Sequence, residues 1–266
     1  MWPFERRRDV LRVGRDRVEL WTWLSSGLVL HRQQGLSGAP FDTVALRAAL
    51  VPLLQANSRD VRAIDVVMES AWLPVLPIEP GPTLLLRPAV EALLRHRVST
   101  VYGAPESSGA WDLHVDHRAG DRSGLGFALS SSVRAVVLDA SVAAKRKLAS
   151  MQPAIAWGRA RLRSHMPRNV WMLWLEHDRT LVAWVRGGRV QAFNAAAAVV
   201  STADQAVGCV HIESLRQGIQ SEVAPIVVAG WQEVPTRAAS PGLSWLSVAA
   251  LAPDVPATAV RAERAA

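Results

Sequence analysis

The sequence predicts an α/β fold of two related lobes, with mixed sheets that each begin as a three-stranded meander. Three observations carry this reading. Residues 15–32 (RDRVELWTWLSSGLVLHR) and 177–193 (HDRTLVAWVRGGRVQAF) show one strand pattern used twice, about 160 residues apart. Asp16–Arg17 falls on Asp178–Arg179; with one residue gapped at Val18 or Glu19, Leu20 falls on Leu181 and Trp23 on Trp184. Each copy follows an apolar, strand-like run, at 10–14 and 170–175, and each passes through a glycine-containing turn into another β-run. A repeat of this kind decides the architecture before other signals are read. The composition, 50% hydrophobic and 20% charged, belongs to a globular chain with enough length for a large core.

Taken in order, residues 10–33 alternate and are rich in Val, Leu and Trp, the pattern of half-buried strands. The loop GLSGAP ends them, and Asp42 or Thr43 caps a helix with Val44, Leu46, Leu50, Leu53 and Leu54 on one broad face. Pro52 is placed to end or kink it. Residues 61–68 form a β-branched, buried strand, and Pro77, Pro80 and Pro82 then enforce an extended edge or loop. Pro88 opens a short helix. Strands follow at 111–117 and 124–129, and Ser130 to Ser132 cap a helix over 133–149. A break at 150–153 precedes a helix over 154–166, and 167–169 hinge into the second meander. A strand is expected around 208–212, a helix near Ser214 and a strand over 225–231. The expected division is 1–166 for the first lobe with inserted strands and helices, 167–250 for a reduced second lobe, and 251–266 for a disordered tail.

The formal charge of +7 and the pI near 11 invite a nucleic-acid or acidic-membrane partner. Yet only Lys145 and Lys147 among the 30 basic residues are lysine, and the arginines are spread along the chain. That bias fits a GC-rich coding sequence, so no nucleic-acid partner is expected. The one cysteine, Cys209, excludes an internal disulfide framework and a CxxC knuckle, and its apolar neighbours make it a core residue. The N-terminus lacks a secretory pattern, and no run reaches the ~18 apolar residues a spanning helix needs. A cytoplasmic protein follows as the expectation.

Meander, helix, further strands and helices, then a second meander is the order of the actin-like ATPase fold, whose lobes are built on ribonuclease-H-like sheets. Within it the chain resembles PilM-type pilus-assembly proteins and the cytoplasmic part of GspL-type secretion proteins. The likeness rests on VLRVGRDRVELWTW (10–23), on LASMQPAIAWGRARLR (148–163) read as a helix and its break, on the hairpin 169–193, and on IVVAGW (226–231). The resemblance implies a nucleotide cleft whose first turn reads Asp-x-Gly, the Asp holding Mg²⁺ and the glycine admitting phosphate. Here Arg12 takes the acidic position beside the retained Gly14, with Arg15 on the same turn, and Glu19 stands where a Lys is expected. The second loop gives Leu175-Glu176-His177-Asp178-Arg179 without glycine, and the late Gly-Gly turn is reduced to Ala229-Gly230-Trp231. A vestigial cleft of Arg12, Gly14, Arg15, Glu19, Asp178 and Gly230 follows, with no cofactor and no catalytic residue. The resemblance further implies an assembly protein at the cytoplasmic face of an inner membrane. Its partner is then the cytoplasmic tail of a PilN-like membrane protein, membrane association is peripheral and through that partner, and self-association stays open. Trp72, Leu73 and Val75, beside the proline-spaced run, are expected to form an exposed partner-binding edge.

The residues also admit other chemistries. A divergent ATP-binding, kinase-like enzyme is the alternative from another class. A metal-dependent hydrolase using His114, Asp116 and His117 is a further one, since Asp112-Leu113-His114-Val115-Asp116-His117 approaches a dinuclear-metal motif. The first His of that motif is missing, and no metal is expected. Asp65 and Glu69 invite an acid–base pair but equally suit a strand end. Trp21, Trp23, Trp171, Trp174 and Trp184 suit core packing better than a stacking platform.

Overall fold

The computed structural model describes residues 8–24, 27–55, 63–78, 87–103, 111–116, 124–219, 224–231 and 242–251. The first part of the chain runs β1 (Asp9–Val13), β2 (Arg17–Leu24), β3 (Gly27–Gly35), α1 (Thr43–Gln55), β4 (Ile64–Met68), β5 (Val75–Ile78), α2 (Arg87–Tyr102), β6 (Trp111–Asp116) and β7 (Gly124–Ser130). It continues with α3 (Ser131–Ala143), β8 (Leu148–Pro153), α4 (Ala154–Leu162), β9 (Val170–Leu175), β10 (Thr180–Arg186), β11 (Arg189–Ala196), α5 (Ala203–Arg216), β12 (Ile226–Gly230) and β13 (Leu243–Ser247). The expected tail, 252–266, lies outside the described residues.

The same sheet is built twice. The first has the order β3-β2-β1-β4-β8 and the second β11-β10-β9-β12-β13. In each, three meander strands pair antiparallel, and two later strands add parallel to the first of them. The central strands explain themselves by sequence: DVLRV and VWMLWL are apolar runs, and both strands lie in the interior of their sheets. A smaller sheet, β5-β7-β6, is inserted between β4 and α3 and packs on α2 through Ile78, Val90, Leu94, Val98 and Ala128. One continuous core joins the two large sheets, taking in Val10 and Leu11 from β1 with Met172 and Trp174 from β9.

Hydrogen bonding at the turns corrects the register of the repeat. Gly14 N–H donates to Arg17 O, and Glu176 N–H donates to Arg179 O. Gly14 therefore corresponds to Glu176, Asp16 to Asp178, Val18 to Thr180 and Leu20 to Val182, with no gap. The gapped match of Leu20 with Leu181 and Trp23 with Trp184 fails because a one-residue slip moves every side chain to the opposite face of a strand. Trp184 lies over Trp171 on the face covered by α5, whereas Trp23 is buried toward the joint core.

Two further expectations are overturned. Residues 208–212 lie inside α5, not in a strand. Thr202 and Gln205 form a reciprocal capping box, and Ala206, Val210, Glu213 and Ser214 give the buried helical face. Cap and helical spacing outweigh the β-branched content of the run. Residues 148–153 are the strand β8 instead of a helix end and break. The helix α3 stops earlier because Lys145 adopts φ 55°, and buried Arg146 then pairs with buried Asp9 at 2.9 Å, which draws the chain alongside β4. Ser130 holds the N-cap position of α3 with no side-chain cap hydrogen bond; its hydroxyl bonds Ser132 at 2.8 Å. Pro52 sits within α1, which runs on to Gln55, and Asp42 caps it through the amides of Val44 and Ala45.

α4 crosses onto the second sheet at Gly158, where a Cβ would collide with the Trp174 ring. Trp174 is fully buried and has no room to retreat. Gly158→Ala is expected to lower unfolding free energy by about 2 kcal/mol through overpacking, read as a lower urea midpoint at constant slope.

Candidate functional site

The two meander turns meet where the lobes adjoin, together with the turn that follows β4. The antiparallel register sets Arg12 opposite Glu19, and their side chains pair at 2.9 Å. Glu69, one residue beyond β4, grips the other side of the same guanidinium. Arg12 is 6% exposed, Glu19 2% and Glu69 1%, so this triad is dry. Burial alone works against the charge on Arg12. Glu69 and Glu19 outweigh it, and the guanidinium is held even more firmly protonated than usual. Trp21 Nε1–H donates to Glu19 at 3.0 Å, and the Trp231 ring lies under the guanidinium at 5.5 Å.

The backbone around Gly14 is also engaged. Glu69 Oε2 accepts the Arg15 N–H at 3.2 Å, and the Trp72 indole donates to Gly14 O at 2.8 Å. An internal carboxylate thus receives an amide of the turn where the resemblance places phosphate. On the second turn Glu176 stands where Gly14 stands on the first. Its carboxylate accepts the Ser70 N–H at 2.9 Å and the Ser70 hydroxyl. Burial, followed by the nearby charge of Glu69, pushes the Glu176 carboxyl up to about 7. Around the rim, Arg15 pairs with Asp178 and His177 faces Asp16 at 3.6 Å. Because Arg15 corresponds to His177 and Asp16 to Asp178, these two contacts are reciprocal across the repeat. Asp178 is held below the usual carboxylate range by its bond to Arg179, then by Arg15.

Gly230 ends β12 against Leu175, and Trp231 turns in behind it. Trp231 stacks on Trp157 of α4 at 4.7 Å and 8°, with Trp21 at 5.9 Å. Arg161 covers Trp23 at 4.6 Å. The six residues expected at the vestigial cleft therefore come together. Glu69, Ser70, Glu176, Trp157 and Trp231 complete the cluster. Glu176 and Trp231 lie on loops that the resemblance assigns to the cleft, whereas no local pattern marks Glu69, Ser70 or Trp157, which reach it through long-range contacts.

Trp72, Leu73 and Val75 do not form an exposed edge. They are 1%, 3% and 8% exposed. The turn closes through bonds from Trp72 N–H and Leu73 N–H to Glu69 O, which folds the indole under Gly14 and into the core. The segment after them reads as open in the sequence because its prolines cannot reveal that β5 pairs with β7. Asp65 and Glu69 do not act together either. Asp65 accepts from Ser150 at 2.6 Å and faces Arg8, while Glu69 is committed to Arg12.

On β6, Asp112 pairs with Arg134 at 2.9 Å, His114 lies against Phe127, and Asp116 faces Arg159 at 3.5 Å. His117 lies outside the described residues. Among the described residues no group of three His, Cys, Asp or Glu is placed to hold a metal ion. Cys209 is half-buried on α5, where burial pushes its thiol up. Among the described residues no helix is long and apolar enough to cross a membrane.

No family model and no curated protein matches the sequence. Solved structures do match, over nearly the whole chain. A Bacteroides thetaiotaomicron protein of actin-like ATPase fold and unknown function superposes with a TM-score of 0.56 at 7% identity, covering 92% of each chain. The PilM–PilN type IV pilus biogenesis complex gives 0.55 at 15% identity, over 90% of this chain and 88% of that one. The cytoplasmic domain of EpsL, an inner membrane component of the type II secretion system of Vibrio cholerae, gives 0.51 at 11%, over 91% and 89%. The chain thus has the actin-like fold in the form found in PilM and the GspL-type protein EpsL.

Proposed function

We propose that this chain is a non-enzymatic assembly protein of a type IV pilus or a type II secretion-like platform. It works at the cytoplasmic face of an inner membrane and binds the cytoplasmic tail of a membrane-anchored partner. The fold shared with PilM and with the EpsL cytoplasmic domain supports the platform. A fold alone does not fix chemistry, so the argument rests on the cleft. The observation that carries it is the dry triad of Arg12 between Glu19 and Glu69. A guanidinium stands where Mg²⁺ would need an acid, and it is neutralised from within the chain. Glu69 takes an amide of the first turn, Glu176 replaces the glycine of the second, and the Trp231–Trp157 stack fills the approach beside Gly230. Between the lobes, Ser70 with Glu176, Arg15 with Asp178, and Trp231 against Arg12 and Trp157 stand in for the contacts of a bridging nucleotide. A platform protein needs such a fixed shape, because its surfaces and not a reaction are its output.

The test is direct binding of a synthetic peptide copying the cytoplasmic tail of a candidate single-helix membrane partner from the same assembly system. Saturable one-to-one binding in fluorescence anisotropy is the expected result. Absence of binding, coupled with Mg-ATP turnover by the purified chain, overturns the reading in favour of an enzyme.

A further inference from the structure

We infer that the arginine-lined cavity between α4, the β10–β11 hairpin and β6 is a binding site for an acidic peptide segment. The cavity has a volume of about 940 Å³ and lies apart from the Arg12 cluster. Arg159 reaches it from α4, Arg163 from the C-cap of that helix, Arg168 from the following loop and Arg189 from β11, and among the described lining residues Asp116 is the one acid. Three of these cations come from adjoining turns of one short stretch, so their convergence is fixed by the fold. Arg163 and Arg168 are exposed. Among the described residues the acid facing Arg159 is Asp116, at a long 3.5 Å. That weak pairing leaves the guanidinium charge available to a carboxylate in the cavity, and charge-assisted bonds of this kind are the strong ones.

The walls are preorganised. The hairpin tip is bonded to the loop before β9, with Gly188 N–H donating to Arg168 O at 3.0 Å and Gly187 N–H to Asn169 Oδ1 at 2.9 Å. Both glycines have positive φ and leave the tip without side chains, so an extended chain can approach the backbone closely.

The shape and lining select the ligand. Met166 and Val190 give apolar wall beside the guanidinium groups, which suits a segment alternating acidic and apolar residues. The volume is far beyond one phosphate and lies in the range of sites that enclose a ligand. Among the described lining residues there is no aromatic ring to serve as a platform for a base. Arginines converging on one cavity also suit fork-like recognition of carboxylates, and the vesicle arm of the test below separates this from a lipid contact. As a source of the peptide, this inference rests on the assembly reading above; as a statement about the cavity, it can be tested without it.

The experiment selects binders to the full chain from a displayed library of random octapeptides. A selected peptide is then titrated against wild type and against Arg163→Glu/Arg168→Glu. The expected result is enrichment of Asp and Glu with apolar residues between them, and at least thirtyfold weaker binding to the double variant at an unchanged thermal midpoint. Peptides without acidic enrichment, or equal binding to the variant, overturn the inference. So does a double variant that keeps the peptide but loses phosphatidylglycerol vesicles, which would make the cavity a lipid contact. Should charge reversal disturb folding, Arg163→Gln/Arg168→Gln is the replacement and is expected to weaken binding at least fivefold. The partner's tail peptide separates the two claims. A tail that binds wild type and variant alike removes this cavity from the interface and leaves the assembly reading intact. A tail that fails on wild type counts against the assembly reading, while the library result still decides the cavity.

Discussion

Arg12→Met is expected to destabilise the protein by about 4 kcal/mol, the cost of leaving buried carboxylates without their counter-charge. Glu19 and Glu69 are both within 2% of full burial, and among the described residues neither has another cation in contact. Removing the guanidinium leaves Trp21 Nε1 and the Arg15 amide as their remaining donors. Arg12→Asp, which restores the acid of the metal-binding relatives, should be worse still, because it places a third carboxylate in the dry cluster. It should not recover nucleotide binding. The triple change Arg12→Met/Glu19→Gln/Glu69→Gln should regain most of the loss, since it removes the charges along with their partner. Urea unfolding of the four proteins checks this. A loss below about 1 kcal/mol for Arg12→Met would show that the triad is solvated and not structural.

Glu176→Gln should act in the opposite direction, stabilising the protein at pH 8 by about 3 kcal/mol. The Glu176 carboxyl titrates near 7 in the fold against 4.5 for the ordinary group, chiefly through burial and then through Glu69. A raised acid favours the folded state only while it keeps its proton. Below about 4.5 it is neutral in both states and exacts no penalty. Between about 4.5 and 7 the unfolded chain ionises first, so stability falls as the pH rises; above 7 the full penalty remains, about 1.4 kcal/mol for each unit of displacement. Glutamine preserves an acceptor for the Ser70 amide and has no charge to lose. Wild type should therefore weaken between pH 5 and 8, and the variant should weaken far less. Asp16 and Asp178 are held low by Arg17 and Arg179, and lose their contribution only at more acidic pH, outside this window. Parallel slopes for the two proteins would mean that Glu176 is ionised and solvated in the fold.

The strands were the readable part of this chain, and the reason is local. Val, Leu and Trp alternating along β2 and β10 report a pleated face without knowledge of any neighbour, and the repeated Asp-Arg turn reports duplication. Helix ends were less legible where long-range forces set them. The stop at Lys145 depends on Arg146 finding Asp9, which is remote in sequence, and β8 exists because β4 offers it an edge. At 208–212 the error was one of priority, because a Thr202–Gln205 cap lies upstream of the run that looked like a strand. The cleft was half legible. Arg12, Gly14 and Glu19 stand out against the family's pattern within one short segment. Glu176 and Trp231 mark departures on the second loop and the late turn, but their contacts are not readable there, and Glu69 and Trp157 carry no mark at all, since an isolated Glu or Trp looks the same in solvent as in a core. Trp72 shows this most clearly: next to prolines it resembles an anchor for a partner, and its indole is instead spent on the Gly14 carbonyl.

The measurement that bears most directly on the cleft is calorimetric titration of the purified chain with Mg-ATP, followed by a thermal midpoint at millimolar nucleotide. Side chains that already occupy the turns and neutralise Arg12 leave nothing for a triphosphate to bind, so no heat and no shift in midpoint are predicted. Micromolar binding that requires Mg²⁺, or release of phosphate at a rate abolished by Arg12→Met, would contradict the account.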